Sequence, residues 1–295
     1  MKKIVKKGML SLLVILSNVI FVAAVINTRG NHNELKITML DVGQGDGIHI
    51  RTPSGMQILI DGGSSDVSEV GKYRIEPYLE SQGVTELDYV FISHGDLDHT
   101  SGIQEMLLNQ KFGIRIHTLI LPSENVLDES LLEVGRFAEQ YGTRVAAIGA
   151  GEKIIDGEMV ITCIAPSESY EGAIGNASSM VLDLRYKGFD MLFTGDLENE
   201  GEDAVVKSGV LRDYDILKVG HHGSKNSTSE EFLEQVRPEV ALISAGKENR
   251  YGHPSKETLE RLKNIGCEVY STQECGAIII NTDGEKLWTE TWIEE

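Results

Sequence analysis

Six consecutive residues, His94-Gly95-Asp96-Leu97-Asp98-His99, hold four groups able to ligate a metal ion. His94, Asp96 and Asp98 alternate, so an extended chain would aim all three to one side, and His99 adds a neighbouring donor. Gly95 lets the backbone fold close to an ion. Two imidazoles and two carboxylates at this spacing can hold two divalent cations; the competing reading is a polar turn with incidental histidines. Thr194-Gly195-Asp196 ends an apolar run in a carboxylate, each of whose oxygens can take one ion. Gly220-His221-His222-Gly223 and Tyr251-Gly252-His253-Pro254 set histidines beside glycines, where an imidazole packs poorly but serves well as a ligand or acid.

Apolar runs deliver these groups. Residues 87–93 read as a buried strand that feeds the first motif, and residues 102–108 read as the helix after it. Upstream, residues 35–42, 48–51 and 56–60 form three strand patterns joined by glycine-rich turns, an antiparallel meander. Asp41 and Asp61 end two of these strands. Each can either orient a ligand by a hydrogen bond or cap its own turn. His49 alternates within a strand and reads as structural; His32 and His117 read as solvated. Downstream, strand and helix patterns alternate: strands at 118–121, 144–148, 159–165, 180–186, 189–193 and 216–219, and a helix at 129–141. The run 240–244 reads as the final strand before a helix, and His253 follows it.

The chain has 295 residues, 41% of them hydrophobic, and 31 glycines, enough for one large core. Cys163, Cys267 and Cys275 are too few for a disulfide scaffold and lack zinc-knuckle spacing, so they read as small buried hydrophobes. Residues 1–26 are a separate object. Lys2, Lys3, Lys6 and Lys7 precede an uncharged run from 9 to 26, which as a helix would span about 27 Å. It reads as a membrane anchor or a signal peptide. The anchor is preferred because the run exceeds a typical signal-peptide core. The lysines would stay inside, with the rest of the chain exported. Residues 27–34 read as a linker and 35–295 as one domain. Without the four leading lysines, 23 basic residues face 46 acidic ones. That balance opposes diffuse binding of nucleic acid but permits a local basic groove, and residues 218–263 are close to neutral.

The ordered set of motifs resembles the metallo-β-lactamase fold superfamily, and most closely the metallo-β-lactamase-like domain of the ComEC competence proteins. The shared pieces are Asp41-Val42-Gly43-Gln44-Gly45-Asp46, the 94–99 loop, Thr194-Gly195-Asp196, the 218–224 segment Lys-Val-Gly-His-His-Gly-Ser, and Tyr251-Gly252-His253-Pro254. The likeness covers about residues 35–290. It implies a four-layer αββα sandwich, here preceded by an N-terminal hydrophobic helix, with two metal ions at the sheet edges. It assigns His94 and Asp96 to one ion, Asp98 and His99 to the other, Asp196 as the bridge and His253 as the last ligand. His222 or His221 would be the proton donor, with roles exchangeable with His253, and Asp98 would orient the attacking water. Asp96 stands where the family has a second histidine, and Asn176 where it often has its middle one. Both changes shift the first site toward oxygen donors and make manganese a competitor to zinc. The ComEC proteins are polytopic, whereas this chain has one apolar run, so the likeness does not extend to a DNA-conducting pore.

Two metals beside Lys225, Lys247, Arg250 and Lys256 suit a phosphodiester substrate, DNA included. The alternatives are a β-lactamase- or lactonase-like hydrolase, against which Asp96 and the basic residues argue, and a tethered module without catalysis. If the 9–26 run is an anchor with its lysines inside, a reporter fused to the carboxy terminus should be active only outside the cytoplasm. A reporter active only within it would reject export.

Overall fold

The computed structural model describes residues 34–293. The hydrophobic segment 1–26 and residues 27–33 of the expected linker lie outside them. Among the described residues, no helix is long and apolar enough to cross a membrane.

The chain builds one sheet, then a second, and returns to the first. β1 (Leu35–Met39), β2 (Ile48–Arg51) and β3 (Gln57–Ile60) pair antiparallel, as the meander pattern predicts. β4 (Glu86–Phe91), β5 (Arg115–Leu121) and β6 (Arg144–Ala147) continue in parallel, linked by α2 and α3. Here α1 is Glu76–Ser81, α2 is Leu97–Asn109 and α3 is Glu129–Gln140. The second sheet runs β7 (Lys153–Asp156), β8 (Met159–Ala165), β9 (Val181–Tyr186), β10 (Phe189–Phe193), β11 (Ile216–Lys218), β12 (Val240–Ile243) and β13 (Glu268–Ser271), adjacent in that order. α4 (Asn199–Ser208), α5 (Glu230–Val236) and α6 (Lys256–Asn264) make its parallel crossovers; α7 (Thr272–Cys275) follows β13. β14 (Ile278–Thr282) then pairs with β1, and β15 (Leu287–Thr291) forms the outer edge.

Period-two burial explains the layering. In β10, Met191 and Phe193 enter the core between the sheets, while Leu192 faces the helices outside. In β12, Val240 and Leu242 face inward and Ala241 and Ile243 outward. The outer face of the first sheet, with Leu87, Val90 and Leu119, packs on Ile103 and Met106 of α2 and Leu131 and Val134 of α3. The outer face of the second packs on Val205 of α4, Phe232 of α5 and Leu262 of α6. Helices therefore flank two stacked sheets. Asp128, Ser229 and Ser255 cap α3, α5 and α6 by accepting a backbone N–H in the first turn.

Two expectations need correction. The run 240–244 is not the final strand, since β13, β14 and β15 follow it. The chain also does not stay extended through Asp98. Helix α2 starts at Leu97, so Asp98 and His99 lie in its first turn, while Asp96 precedes it without a side-chain capping bond, its side chain 63% exposed. Alternation and helix onset compete over the same six residues. The apolar period of 103–107 wins, because it anchors α2 on the sheet.

The start of α2 is held against two glycine turns. Asp46 N–H donates to the Asp98 carbonyl at 3.0 Å, and Gly62 N–H to that of His99 at 2.9 Å. A β-carbon on Gly63 would lie 2.4 Å from the Leu97 carbonyl oxygen, and one on Gly45 2.5 Å from that of Asp98. Both neighbours are backbone and cannot swing away. Gly63→Ala is therefore expected to destabilise the protein by about 1–3 kcal/mol or more, the usual scale of overpacking, read by denaturant titration. An unchanged midpoint would show that the contact yields freely.

Candidate metal centre

The strand ends that meet at one edge of the sandwich carry the polar groups. From the first sheet come Asp46 in the β1–β2 turn, Asp61 after β3, His94 after β4, and Asp98 and His99 in α2. From the second come Asp196 after β10, Lys218 at the end of β11, His221 and His222 after it, and His253 between β12 and α6. Asp46, Asp61, His94, His99, Asp196, Lys218 and His222 are all buried.

Asp98, His99, Asp196 and His222 bring one ligand atom each within 4.8 Å of one another. His222 Nε2 lies 3.6 Å from Asp98 Oδ2 and 3.5 Å from Asp196 Oδ2. His99 Nε2 lies 3.2 Å from Asp196 Oδ1, without the alignment of a hydrogen bond. His94 packs beside His99, with ring centres 4.2 Å apart, and its Nε2 sits 3.6 Å from Asp96 Oδ2. Buried Nε2 atoms of His94, His99 and His222 and Oδ1 of Asp196 have no hydrogen-bond partner. Orphaned polar atoms are costly one by one, and here four converge. Imidazole lone pairs facing carboxylate oxygens at these separations form the donor set of a divalent cation, so the residues fit one.

The outer nitrogens explain the aim. His222 Nδ1–H donates to the Ser244 carbonyl at 2.9 Å, and His99 Nδ1–H to Asp61 Oδ2 at 2.9 Å. Each bond fixes the tautomer that turns a bare Nε2 inward. Asp61 is itself locked, because its Oδ1 accepts the Ser93 N–H at 2.8 Å. Asp61 thus takes the orienting role, whereas Asp41 stays in its turn, accepting the Gly43 N–H at 3.3 Å and facing Arg74.

Charge follows the same logic. Burial disfavours a proton on His99, but Asp196 and Asp61 outweigh it and raise its pKa well above the usual imidazole value. Burial likewise opposes ionised Asp196, yet His222 and His99 hold it well below the carboxylate range. For Asp98, burial is again outweighed, by the His222 imidazole 3.6 Å away and the charge of His99, and the value falls to about 2. Proton and metal compete for the same lone pairs. His221 is different. Burial lowers its pKa, but its 2.9 Å bond to Glu198 and the charge of Asp196 raise it overall. His253 is pulled down to about 4, by burial first and then by His221 and His222.

The remaining sequence-derived residues are less central. Asp96 is largely exposed, and His253 is half-buried, 5.4 Å from His221 ring to ring. Asn176 Nδ2 comes within 3.3 Å of His221 Nε2. Lys225, Lys247, Arg250 and Lys256 are exposed and make no ion pair among the described residues. His49 is buried and bonded to Gln57, and His117 meets Glu86, so both are satisfied. The three cysteines are free, Cys163 and Cys267 buried.

Two residues escape motif reading. Glu198 is one of many acids in its neighbourhood. Lys218 ends an apolar strand, and a charge in such a run was the available signal. Its ammonium is fully buried, 2.5 Å from Asp46 Oδ2, and donates to the Gly195 carbonyl at 3.0 Å. Burial lowers its pKa, but Asp46 and Asp196 more than restore it.

These features define a metallo-β-lactamase fold hydrolase with a candidate His/Asp metal centre. Residues 41–247 match the metallo-beta-lactamase superfamily, and the chain belongs to that family. ComE operon protein 3 of Bacillus subtilis (strain 168) is 33% identical over 259 residues, covering 83% of this chain and 33% of that protein. Competence protein ComA of Neisseria gonorrhoeae is 31% identical over 248 residues, covering 83% and 32%. The chain thus spans about a third of the length of these relatives. Among solved structures, the metallo-beta-lactamase fold protein YhfI from Bacillus subtilis superposes with a TM-score of 0.55 at 13% identity, covering 83% of this chain and 98% of that one. CmlA, a diiron β-hydroxylase from Streptomyces venezuelae, gives 0.57 at 15% identity, covering 83% and 54%. These two structural likenesses concern the fold alone.

Removing the Lys218 charge tests the electrostatic frame. Lys218→Met leaves Asp46 buried without its cation and should cost about 3–5 kcal/mol in denaturant unfolding. Wild-type stability in that variant would mean that Asp46 finds another partner.

Proposed function

We propose that the chain is an exported, membrane-tethered or secreted phosphodiesterase that uses two divalent cations, zinc or manganese, and acts on nucleic acid. The convergence of orphaned Nε2 and Oδ atoms at one sheet edge carries this reading. The exposed basic residues beside the histidines and the competence proteins among the relatives support it.

Asp98, His99, Asp196 and His222 would hold one cation. His94, Asp96 and Asp196 would hold the other. His222 therefore moves from proton donor to ligand, because its only inward atom faces two carboxylates. Such cations make water acidic near neutral pH and relieve a phosphoryl oxygen of charge. Asp98, with its side chain 19% exposed, faces both the centre and solvent and orients the attacking water. His221 is the proton donor. Glu198 keeps it protonated through Nδ1, and its Nε2 points toward the centre, 3.7 Å from Asp196 Oδ2. His253 stays neutral near pH 7 and offers a hydrogen bond to a phosphoryl oxygen rather than a proton.

The full-length protein loaded with manganese or zinc is expected to cleave bis(p-nitrophenyl) phosphate and single-stranded DNA, and not nitrocefin. Nitrocefin turnover without phosphodiester cleavage would replace the reading with amide hydrolysis. Asp196→Ala should lose metal and activity together. His221→Ala should keep its metal and slow DNA cleavage about 10²–10⁴-fold, with a smaller loss on p-nitrophenyl esters, whose leaving group needs no proton. Glu198→Gln removes the charge that raises the His221 pKa, so the alkaline limb of the rate profile should move to lower pH. An alkaline limb that stays in place, with His221→Ala fully active, rejects His221 as the donor.

A further inference from the structure

Tyr251 is 48% exposed, yet its loop is fixed. Asn249 Oδ1 accepts the N–H groups of Tyr251 at 3.2 Å and His253 at 3.0 Å. Asn249 Nδ2 donates to the carbonyls of Gly246 and His253, and Gln273 Nε2 donates to the same two at 2.7 Å each. An exposed tyrosine is ordinary by itself. Its placement is not. The His222 and His253 rings are 30° apart in tilt at 6.5 Å, and those of His253 and Tyr251 24° apart at 5.8 Å. Three rings thus step from the buried floor of the candidate metal centre to solvent, each tilted by 30° or less from the next. Arg250 stands at the top. Its guanidinium lies 5.0 Å over the Tyr251 ring and donates from Nη2 to the tyrosine hydroxyl at 2.8 Å. Among the described residues it meets no carboxylate.

We propose that Tyr251 and Arg250 form a nucleotide subsite beside the metal centre, in which the tyrosine ring stacks an unpaired base and the guanidinium takes the adjoining phosphate. The inference rests on the phosphodiesterase reading. Exchanging a neutral hydroxyl for a phosphate gives Arg250 a charge-assisted pair and uncovers the ring for a base. Every base has a π-face, so the subsite selects for single strands rather than for sequence. The chain carries a net charge of −19 and cannot attract nucleic acid by diffuse charge. Stacking and one directed cation supply the hold that the bulk field opposes.

The test is fluorescence anisotropy on the full-length, manganese-loaded protein. The probes are a labelled single-stranded oligothymidylate and an abasic strand of the same length, both with phosphorothioate linkages to slow cleavage. The wild type should bind the base-bearing strand about tenfold more tightly than the abasic one. Tyr251→Phe should keep that ratio, and Tyr251→Ala should bring it near one. Arg250→Gln should weaken both strands alike and leave the ratio in place. Equal binding of the two strands by the wild type, a ratio unchanged in Tyr251→Ala, or no binding of either strand overturns the subsite. Binding is read without turnover. A protein that binds with the stated base dependence yet cleaves no phosphodiester keeps the subsite and loses the hydrolase reading.

Discussion

Three carboxylates, Asp46, Asp61 and Asp196, are taken almost completely out of water at one edge of this fold. Ionised carboxylates do not survive such burial without cations close by. Much of the local structure answers that demand. Lys218 sits against Asp46, His99 against Asp61 and Asp196, and His222 between Asp98 and Asp196. One ammonium and a set of imidazoles leave the count short of positive charge, unless each imidazole is protonated or shares a divalent cation. The histidines that lack partners at Nε2 are those that face the deficit. The lysine and the inward imidazoles are thus two responses to one field, a fixed cation at the back and a set of unpartnered donors in front.

The same edge joins the two sheets. Lys218 comes from β11 and Asp46 from the β1–β2 turn. Ser244 Oγ donates to the Gly45 carbonyl at 2.6 Å, Gly246 N–H to Gln44 Oε1 at 3.2 Å, and Met180 N–H to the Ser93 carbonyl at 2.8 Å. Over most of the sandwich the sheets meet through interdigitated aliphatic and aromatic side chains. Directed hydrogen bonds and a buried ion pair set the register where it matters, since Asp196 from one sheet must meet Asp98 and His99 from the other.

The sequence was legible where chemistry is concentrated in short motifs. All the main donor positions follow strand ends, and apolar runs mark strands even when their exact limits shift. It was less legible where three-dimensional neighbours decide. The charge at the end of an apolar run is the one local sign that Lys218 turns inward, and it is weak, because a lysine at a strand end is ordinarily solvated; its partner, Asp46, is far away in sequence. Nothing local separates His222 from His253. The difference lies in Ser244, whose carbonyl takes the His222 Nδ1–H and aims the opposite nitrogen at two carboxylates. Asp96 shows how a helix start changes what spacing alone suggests. Its spacing puts it in an extended run with Asp98, but a helix that begins one residue later leaves its side chain largely exposed at the rim, 3.6 Å from His94 Nε2. Of the late strands, β15 alternates polar residues and is largely exposed, whereas β14 carries the apolar run Ile278-Ile279-Ile280, a strand signal that the sequence reading passed over.

His221 and His222 are adjacent, and neighbours in a strand would point to opposite faces. Yet the Nε2 atoms of both lie within 3.7 and 3.5 Å of the same Asp196 oxygen. The backbone makes this achievable. His221 has φ 47° and His222 φ 52°, two consecutive left-handed residues without glycine's freedom, and Asp61 adds a third at 55°. Each costs on the order of 1–3 kcal/mol and persists only where surroundings over-determine it. For His222 they do so through Ser244, and for Asp61 through the Ser93 N–H and His99. Glycine at these positions would relieve the strain and remove the imidazoles and the carboxylate. Other non-glycine residues of the fold, such as Glu69 and Arg237, also have positive φ, but at these three the conformation aims the donors inward before any cation arrives. A flexible turn would have to order two imidazoles on binding and would spend affinity in doing so. Here that ordering is already complete in the fold, which separates the deeply buried His222 from the outer, partly exposed His221 by a single peptide bond.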